Sequence, residues 1–208
     1  MTAQTPERII LDGRPRSLFA DPLYRLTARC RLDLSRPDHR STANYRGYIG
    51  TWEIRDGRLY LVHLAWETWG SGGQDGEMTV AETTQRKLFR AAQVEGFPIL
   101  AHWFNGRLRI ALGRRLIYSH HGWSSWFERE RVIHFRAGEI VRDREVDTRA
   151  ILEWWLRRDP ERSEQLQPSQ GDGLRPLIWF DEEDDAEWEA DWWPPDYPRP
   201  VDVGGATA

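Results

Sequence analysis

Residues 48–64 read YIGTWEIRDGRLYLVHL. β-Branched and aromatic side chains flank Asp56-Gly57, a pair that supplies the positive φ angles of a tight type I′ turn. The stretch therefore predicts a β-hairpin. Alternation places Tyr48, Trp52 and Ile54 on one face and Ile49, Thr51 and Glu53 on the other. On the return strand Leu59, Leu61 and His63 share a face, and Tyr60, Val62 and Leu64 take the opposite one. Apolar residues on both faces predict a central pair, covered at least partly on both sides.

The same signal recurs three times. RIILDGRPRSLF (8–19) turns at Asp12-Gly13, ILAHWFNGRLRIAL (99–112) at Asn105-Gly106, and RVIHFRAGEIVRDREV (131–146) at Ala137-Gly138, the last as a bulged turn. The four turns are too unevenly spaced for propeller blades or a solenoid, so they predict one antiparallel meander. Arg107 and Arg109 alternate with Leu108 and Ile110, which predicts a strand with one wet face. Helices are few. Asp21-Pro22 opens a short one as N-cap and first residue. Thr79-x-x-Glu82 is a capping box that opens a second, ending near Gly96. Asp147 starts a third, whose Ile151, Trp154 and Trp155 would pack on the sheet. The expected fold class is α+β: an antiparallel, curled or barrel-like sheet of about eight strands with two or three helices and a disordered acidic tail.

That tail stands out in the charge distribution. The 208-residue chain carries a formal net charge of -4, yet residues 181–196 hold nine acidic side chains and no basic one. Residues 1–180 carry 28 basic and 23 acidic side chains, so a mildly basic body precedes a strongly acidic end. The polar stretch ERSEQLQPSQGDG after Pro160 reads as a linker. The chain thus divides into a β-rich globular domain, 1–160, and a Trp- and Pro-rich tail, 161–208. Mean hydropathy of -0.70 and the absence of a long apolar run exclude a transmembrane helix. The opening residues lack a basic-then-apolar leader, and the expected compartment is the cytoplasm. Cys30 is the single cysteine, which rules out an intramolecular disulfide and thiolate-rich zinc sites.

Four segments together resemble a known group: ILDGRPRSLFADPL, STANYRGYIGTWEIRDGRLYLVHL, LAHWFNGRLRI and LIYSHHGWSSWFERERVIHFRAGEIV. They are similar to uncharacterised bacterial proteins with a TA-x-[WY]-RGY-x-x-TWEI…LYL core, a [WF]-[SN]-G-x-LRI strand, and a Y-x-H-x-G-[YW] segment leading into a Tyr/Phe-Glu pair. Tyr45 supplies the aromatic before Arg46, and Phe127-Glu128 the final pair. The likeness spans residues 9–146. It implies a shared β-rich fold and a bacterial origin, and no assigned activity.

The segment YSHHGWSSWFERE, residues 118–130, gathers the candidate chemistry. Ser124 with His121 or His120 could form a nucleophile and base, although the second glycine of a nucleophile elbow is missing. A metal would need His120 or His121 with His63, His102 or His134. No ligand spacing supports one, and no metal or other cofactor is expected. Glu128 and Trp126 could serve a glycosidase or carbohydrate-binding cleft. Glu53 is expected to pair with Arg46 as a salt bridge. Nucleotide-binding motifs are absent. Nucleic acid is a poor match for a body in which acids interleave with the arginines.

The favoured reading is a non-catalytic cytoplasmic protein that binds another protein, with neutralisation of a toxin or effector as one concrete version. Its binding residues would be Trp123, Trp126, His120, Arg107 and Arg109 on the body, and Trp188, Trp192 and Trp193 in the tail, where tryptophans between acids supply anchors and steering. The alternative is a small hydrolase or carbohydrate-binding protein built on His121, Ser124 and Glu128. A catalytic centre requires those three to converge in a pocket; an interaction surface requires the segment to be a strand edge.

Overall fold

A computed structural model describes residues 3–37, 41–69, 75–118, 123 and 125–158. His120, His121, Ser124, the boundary near residue 160 and the whole acidic tail, with Trp188, Trp192 and Trp193, lie outside the described residues. In chain order the elements are β1 (Glu7–Leu11), β2 (Arg14–Leu18), α1 (Tyr24–Cys30), β3 (Ile49–Arg55), β4 (Arg58–Trp69), β5 (Asp75–Thr79) and α2 (Glu82–Ala92). There follow β6 (Ile99–Leu100), β7 (Gly106–Ala111), β8 (Arg115–Ile117), β9 (Trp126–Phe127), β10 (Glu130–Arg136), β11 (Glu139–Val146) and α3 (Thr148–Arg158). The class is α+β.

The hairpin at residues 48–64 forms as its sequence dictates. Asp56 and Gly57 have φ of 50° and 72°, and β3 pairs antiparallel with β4. The face assignment holds only as far as Leu61. Trp52 lies opposite Leu61 while Thr51 lies opposite His63, so Val62 is an extra residue on β4. This bulge reverses the parity of the strand. Leu59 and Leu61 are fully buried before it, and Leu64 and Trp66 are buried after it, in place of His63.

Asp12-Gly13 and Ala137-Gly138 also turn hairpins, β1–β2 and β10–β11, with both residues of each pair at positive φ. Asn105-Gly106 does not. Strand β6 pairs with β4, whereas β7 pairs with β10 and, at Leu18 opposite Ile110, with β2. Residues 101–104 leave the strand path because their aromatics have better places to go. Trp103 is buried with its indole N–H on the Pro22 carbonyl, and Phe104 stacks near Phe135 in the core. The Asn105 side chain then accepts the Ala137 N–H instead of building its own turn.

Gly138 sits directly beneath that detour. Its φ is 78°, and a Cβ there would lie 2.6 Å from the Ala101 carbonyl oxygen. Gly138→Ala combines a left-handed backbone with a backbone clash, and it is expected to cost about 1–3 kcal/mol. A urea midpoint unchanged from the parent chain would show that the 101–104 turn yields freely.

The strand order is β11-β10-β7-β2-β1-β3-β4-β5, with β6 added on β4. A simple meander is therefore corrected: β1 runs parallel to β3, with Ile9 opposite Trp52, and β2 lies beside β7. The sheet curls until β11 meets β4 through one pair, Glu139 opposite Arg58. The ring is joined there by so narrow a contact that it is not a closed barrel. Its interior is packed with Ile9, Leu18, Trp52, Leu59, Leu61, Leu108, Ile110 and Ile133, joined by Leu26 of α1 and Leu88 of α2.

Two of the three predicted helix starts shift. α1 begins after Leu23, two residues later than expected, although the Asp21 carboxylate accepts the Leu23 and Tyr24 N–H groups just ahead of it. The capping box at Thr79 does not form, because Thr79 still pairs with Ala65 in β5 and its hydroxyl meets His63; α2 starts after Ala81. Asp147 does cap α3, its carboxylate accepting the Ala150 N–H. Ile151 of that helix is buried, as expected. Among the described residues no helix is long and apolar enough to cross a membrane.

A second layer covers the outside of β7, β10 and β11. The β8–β9 ribbon forms its own two-stranded sheet, and α3 packs on β9. Ile117, Val132, Val146 and Ile151 are buried yet stand outside the main core. This interlayer holds the residues that the sequence singles out.

Candidate functional site

Trp126 and Phe127 form β9, so part of segment 118–130 is a strand, as an edge reading requires. Phe127 packs on Phe19, ring centroids 5.0 Å apart. Trp126 is half-buried opposite Ile117. Glu128 is clamped: Arg114 donates from its side chain at 2.9 and 3.1 Å and from its backbone N–H at 3.1 Å, and Arg149 also donates to the carboxylate. The Arg114 hydrogen bonds hold its carboxyl below the usual range. A carboxylate stabilised in its ionised form is poorly matched to act as an acid or base near neutral pH.

Arg109 is not on a wet face. It is buried and grips Glu130 with two hydrogen bonds of 2.8 and 2.7 Å from Nε and Nη2, while Nη1 donates to the Trp123 carbonyl and Nη2 also reaches that of Ser125. The ribbon has folded down over β7, and a charge that must leave water there needs a carboxylate and carbonyls to replace it. Arg107 is partly buried, and burial with Arg109 and Arg144 nearby pulls its guanidinium down to about 9. Arg114 and Arg115 are exposed, and Arg107 and Arg109 belong to the interlayer.

Trp123 faces a cluster that sequence reasoning missed. Its ring lies 5.4 Å from the Arg46 guanidinium, which sits against the Tyr48 ring on another side. Beneath is Glu7, wholly buried, with one oxygen 3.3 Å from Arg46 Nε and the other accepting the Trp52 indole N–H. Arg46 also donates to the Thr5 carbonyl at 2.7 Å. The Tyr48 hydroxyl donates to Asp21 at 3.0 Å, and the backbone N–H groups of Leu23 and Tyr24 bond the same carboxylate. Gly50 makes room for this: a Cβ there would stand 2.8 Å from both Glu7 Oε2 and Trp52 Nε1.

Two carboxyls thus share one guanidinium away from water. Desolvation outweighs Arg46 and pushes Glu7 up to about 8. It raises Asp21 as well, and Tyr48 rises far above its ordinary value. The arrangement holds a proton at neutral pH. The expected Glu53–Arg46 pair is corrected: Arg46 takes Glu7, and Glu53 pairs with Arg55 at 2.6 Å near the exposed turn. The sequence did carry a signal. Glu7 alternates in step with Ile9 and Leu11, so the strand period puts a carboxylate on the inward face.

Of the histidines weighed as ligands, His63 meets Thr79 and His102 lies near the Leu100 carbonyl. Among the described residues no three metal-donor side chains come together. A concavity lined by Arg36, Ser41, Asn44, Gly47 and Glu67 holds about 10 Å³, room for one water molecule. No protein-family model, curated protein or solved structure matches the chain.

Proposed function

We propose that the protein acts by binding another protein, without catalysis, through the β8–β9 ribbon. The observation that carries this reading is the make-up of the ribbon. It stands apart from the main sheet and presents exposed Arg114 and Arg115, with Arg115 4.7 Å from the Tyr118 ring and Trp126 half-exposed beside them. Arginine, tyrosine and tryptophan are the residue types that dominate interface hot spots. The ionised, clamped Glu128 supports binding over hydrolysis at the same segment. In this reading the acidic tail with Trp188, Trp192 and Trp193 supplies steering and further anchors. The protein is cytoplasmic, and a bacterial toxin or effector is a partner of suitable kind.

The test starts with affinity recovery from a bacterial lysate and continues with the recovered protein in purified form. The expected result is a complex of fixed stoichiometry that Arg115→Glu weakens at least 10-fold without moving thermal unfolding, since a reversed charge at an interface typically costs more than the 1.4 kcal/mol that factor represents. A complex indifferent to Arg115→Glu would remove the ribbon as its surface. Failure of every recovered protein to reconstitute would sink the reading itself. A chain ending at Phe180 reports the tail's share.

A further inference from the structure

The outer layer carries a charge of its own. The ribbon and α3, residues 112–118, 125–129 and 147–158, hold six arginines against three acids, Glu128, Asp147 and Glu153. Glu145 of β11 joins them at the edge, where it pairs with Arg129. Six bases and four acids leave an excess of two positive charges. Asp147 is occupied in capping α3, and the single Glu128 carboxylate serves both Arg114 and Arg149. The Arg114 side chain remains 84% exposed while it holds that carboxylate. Arg115 stacks on Tyr118, and Arg157 lies exposed in the last turn of α3. Among the described residues, neither of these two bonds a carboxylate. Half-buried Trp126 adds an aromatic face beside them.

Such a surface suits a ligand that brings carboxylates and rings together. Carboxylates accept from guanidinium forks, and indole faces attract guanidinium groups. The chain carries a segment of that make-up. Residues 181–196 hold nine acids and no base, with Trp188, Trp192 and Trp193 set among them. Its starting point is also close at hand. α3 packs on β9, and the Arg149 N–H bonds the Glu128 carbonyl, so the described chain ends at Arg158 in the same layer as the ribbon. Only residues 159–180 intervene before the acids begin. A tether of that length gives an effective concentration on the order of 1 mM, so a contact with Kd of about 100 μM is nine-tenths formed.

We infer that residues 181–196 dock on the β8–β9 ribbon of their own chain, their acids on Arg114 and Arg115 and their tryptophans against Arg115 and Trp126, and cover it until a partner displaces them. The partner enters from the protein-binding reading, on which this last clause rests. The docked state itself is tested on the chain alone, so either can fail while the other stands.

The comparison is between the full chain and a full-length variant whose nine acids in 181–196 are changed to Asn and Gln, which leaves every described residue intact. Hydrogen exchange at about 50 mM sodium chloride is expected to run roughly 3-fold or more faster at residues 112–118 and 125–129 in the variant. At about 500 mM the two chains should converge, because salt screens exposed charges. A synthetic peptide of residues 181–196, titrated into the variant at low salt, should bind with Kd of about 100 μM or tighter, and Arg115→Glu in that variant should weaken it about 10-fold. Equal ribbon exchange in the two full-length chains would overturn the inference. Protection appearing instead on α1 and α2, where Arg29, Arg31, Lys87 and Arg90 are exposed, would overturn it too by placing the segment elsewhere. Ribbon protection that fades on dilution would assign the docked segment to a second copy and so count against docking within one chain.

Discussion

Arg46→Met is expected to lower the stability of the fold by about 3–5 kcal/mol at pH 8, the cost of leaving a buried charge without its partner. Methionine keeps most of the stem's volume, so packing against Tyr48 and Trp123 is only partly lost. What goes is the single cation shared by Glu7 and Asp21, and the bond to the Thr5 carbonyl. Both carboxyls must then stay protonated to remain inside. The deficit should therefore narrow at pH 5, where protonation comes at little cost, and widen towards pH 8. Urea unfolding at the two pH values measures it. A deficit below 1 kcal/mol at both would mean that the cluster is open to water.

Glu7→Gln isolates the proton. Glu7 ionises at about 8 in the fold against an ordinary value of 4.5. Between those values the folded chain holds more proton than the unfolded one, so its contribution to stability is full below 4.5 and declines as pH rises through that window. Glutamine keeps an acceptor for the Trp52 indole and has no proton to lose. The wild-type stability minus that of the Glu7→Gln variant should therefore slope downward from about pH 4.5 to 8. Parallel pH profiles would place Glu7 in its ionised form throughout, paired with Arg46 as an ordinary ion pair.

The fold was legible where local chemistry is self-sufficient. Asp12-Gly13, Asp56-Gly57 and Ala137-Gly138 each meet the φ demands of their turn within two residues, and all three hairpins formed. Asn105-Gly106 has the same local chemistry and failed, because Trp103 and Phe104 gain more from the core than from a ladder. The Val62 bulge was illegible for a related reason: a period-2 pattern cannot show where one strand takes an extra residue. The parallel β1–β3 pairing comes from closing a ring, which no local signal encodes. At the candidate site, sequence singled out Trp123, Trp126 and Glu128 as candidates but assigned Arg46 to the wrong carboxylate. A charge pair separated by 39 positions depends on which strands become neighbours, and β1 becomes β3's neighbour only through the parallel pairing.

The Arg109–Glu130 pair offers the complementary experiment, because it lies in the interlayer and not in the ring. Arg109→Met strands Glu130 and the Trp123 and Ser125 carbonyls, for an expected loss of about 3–5 kcal/mol. Glu130→Leu should cost at least as much. It leaves Arg109 buried beside Arg107 without the carboxylate that it grips, whereas Arg109→Met leaves Glu130 close to Arg107. The double variant Arg109→Met/Glu130→Leu removes both charges, and buried pairs replaced by apolar side chains are often tolerated. It should therefore be more stable than either single variant, with a coupling energy of about 2 kcal/mol or more in the double-mutant cycle. Hydrogen exchange locates the effect: residues 112–118 and 125–129 should lose protection in the single variants while the β3–β4 hairpin keeps its own, since Arg109 bonds Glu130 and the Trp123 and Ser125 carbonyls and so ties the ribbon to β7. Costs that simply add would show that the two side chains stabilise separate layers, and that the ribbon is held by Ile117 and Phe127 in place of this pair.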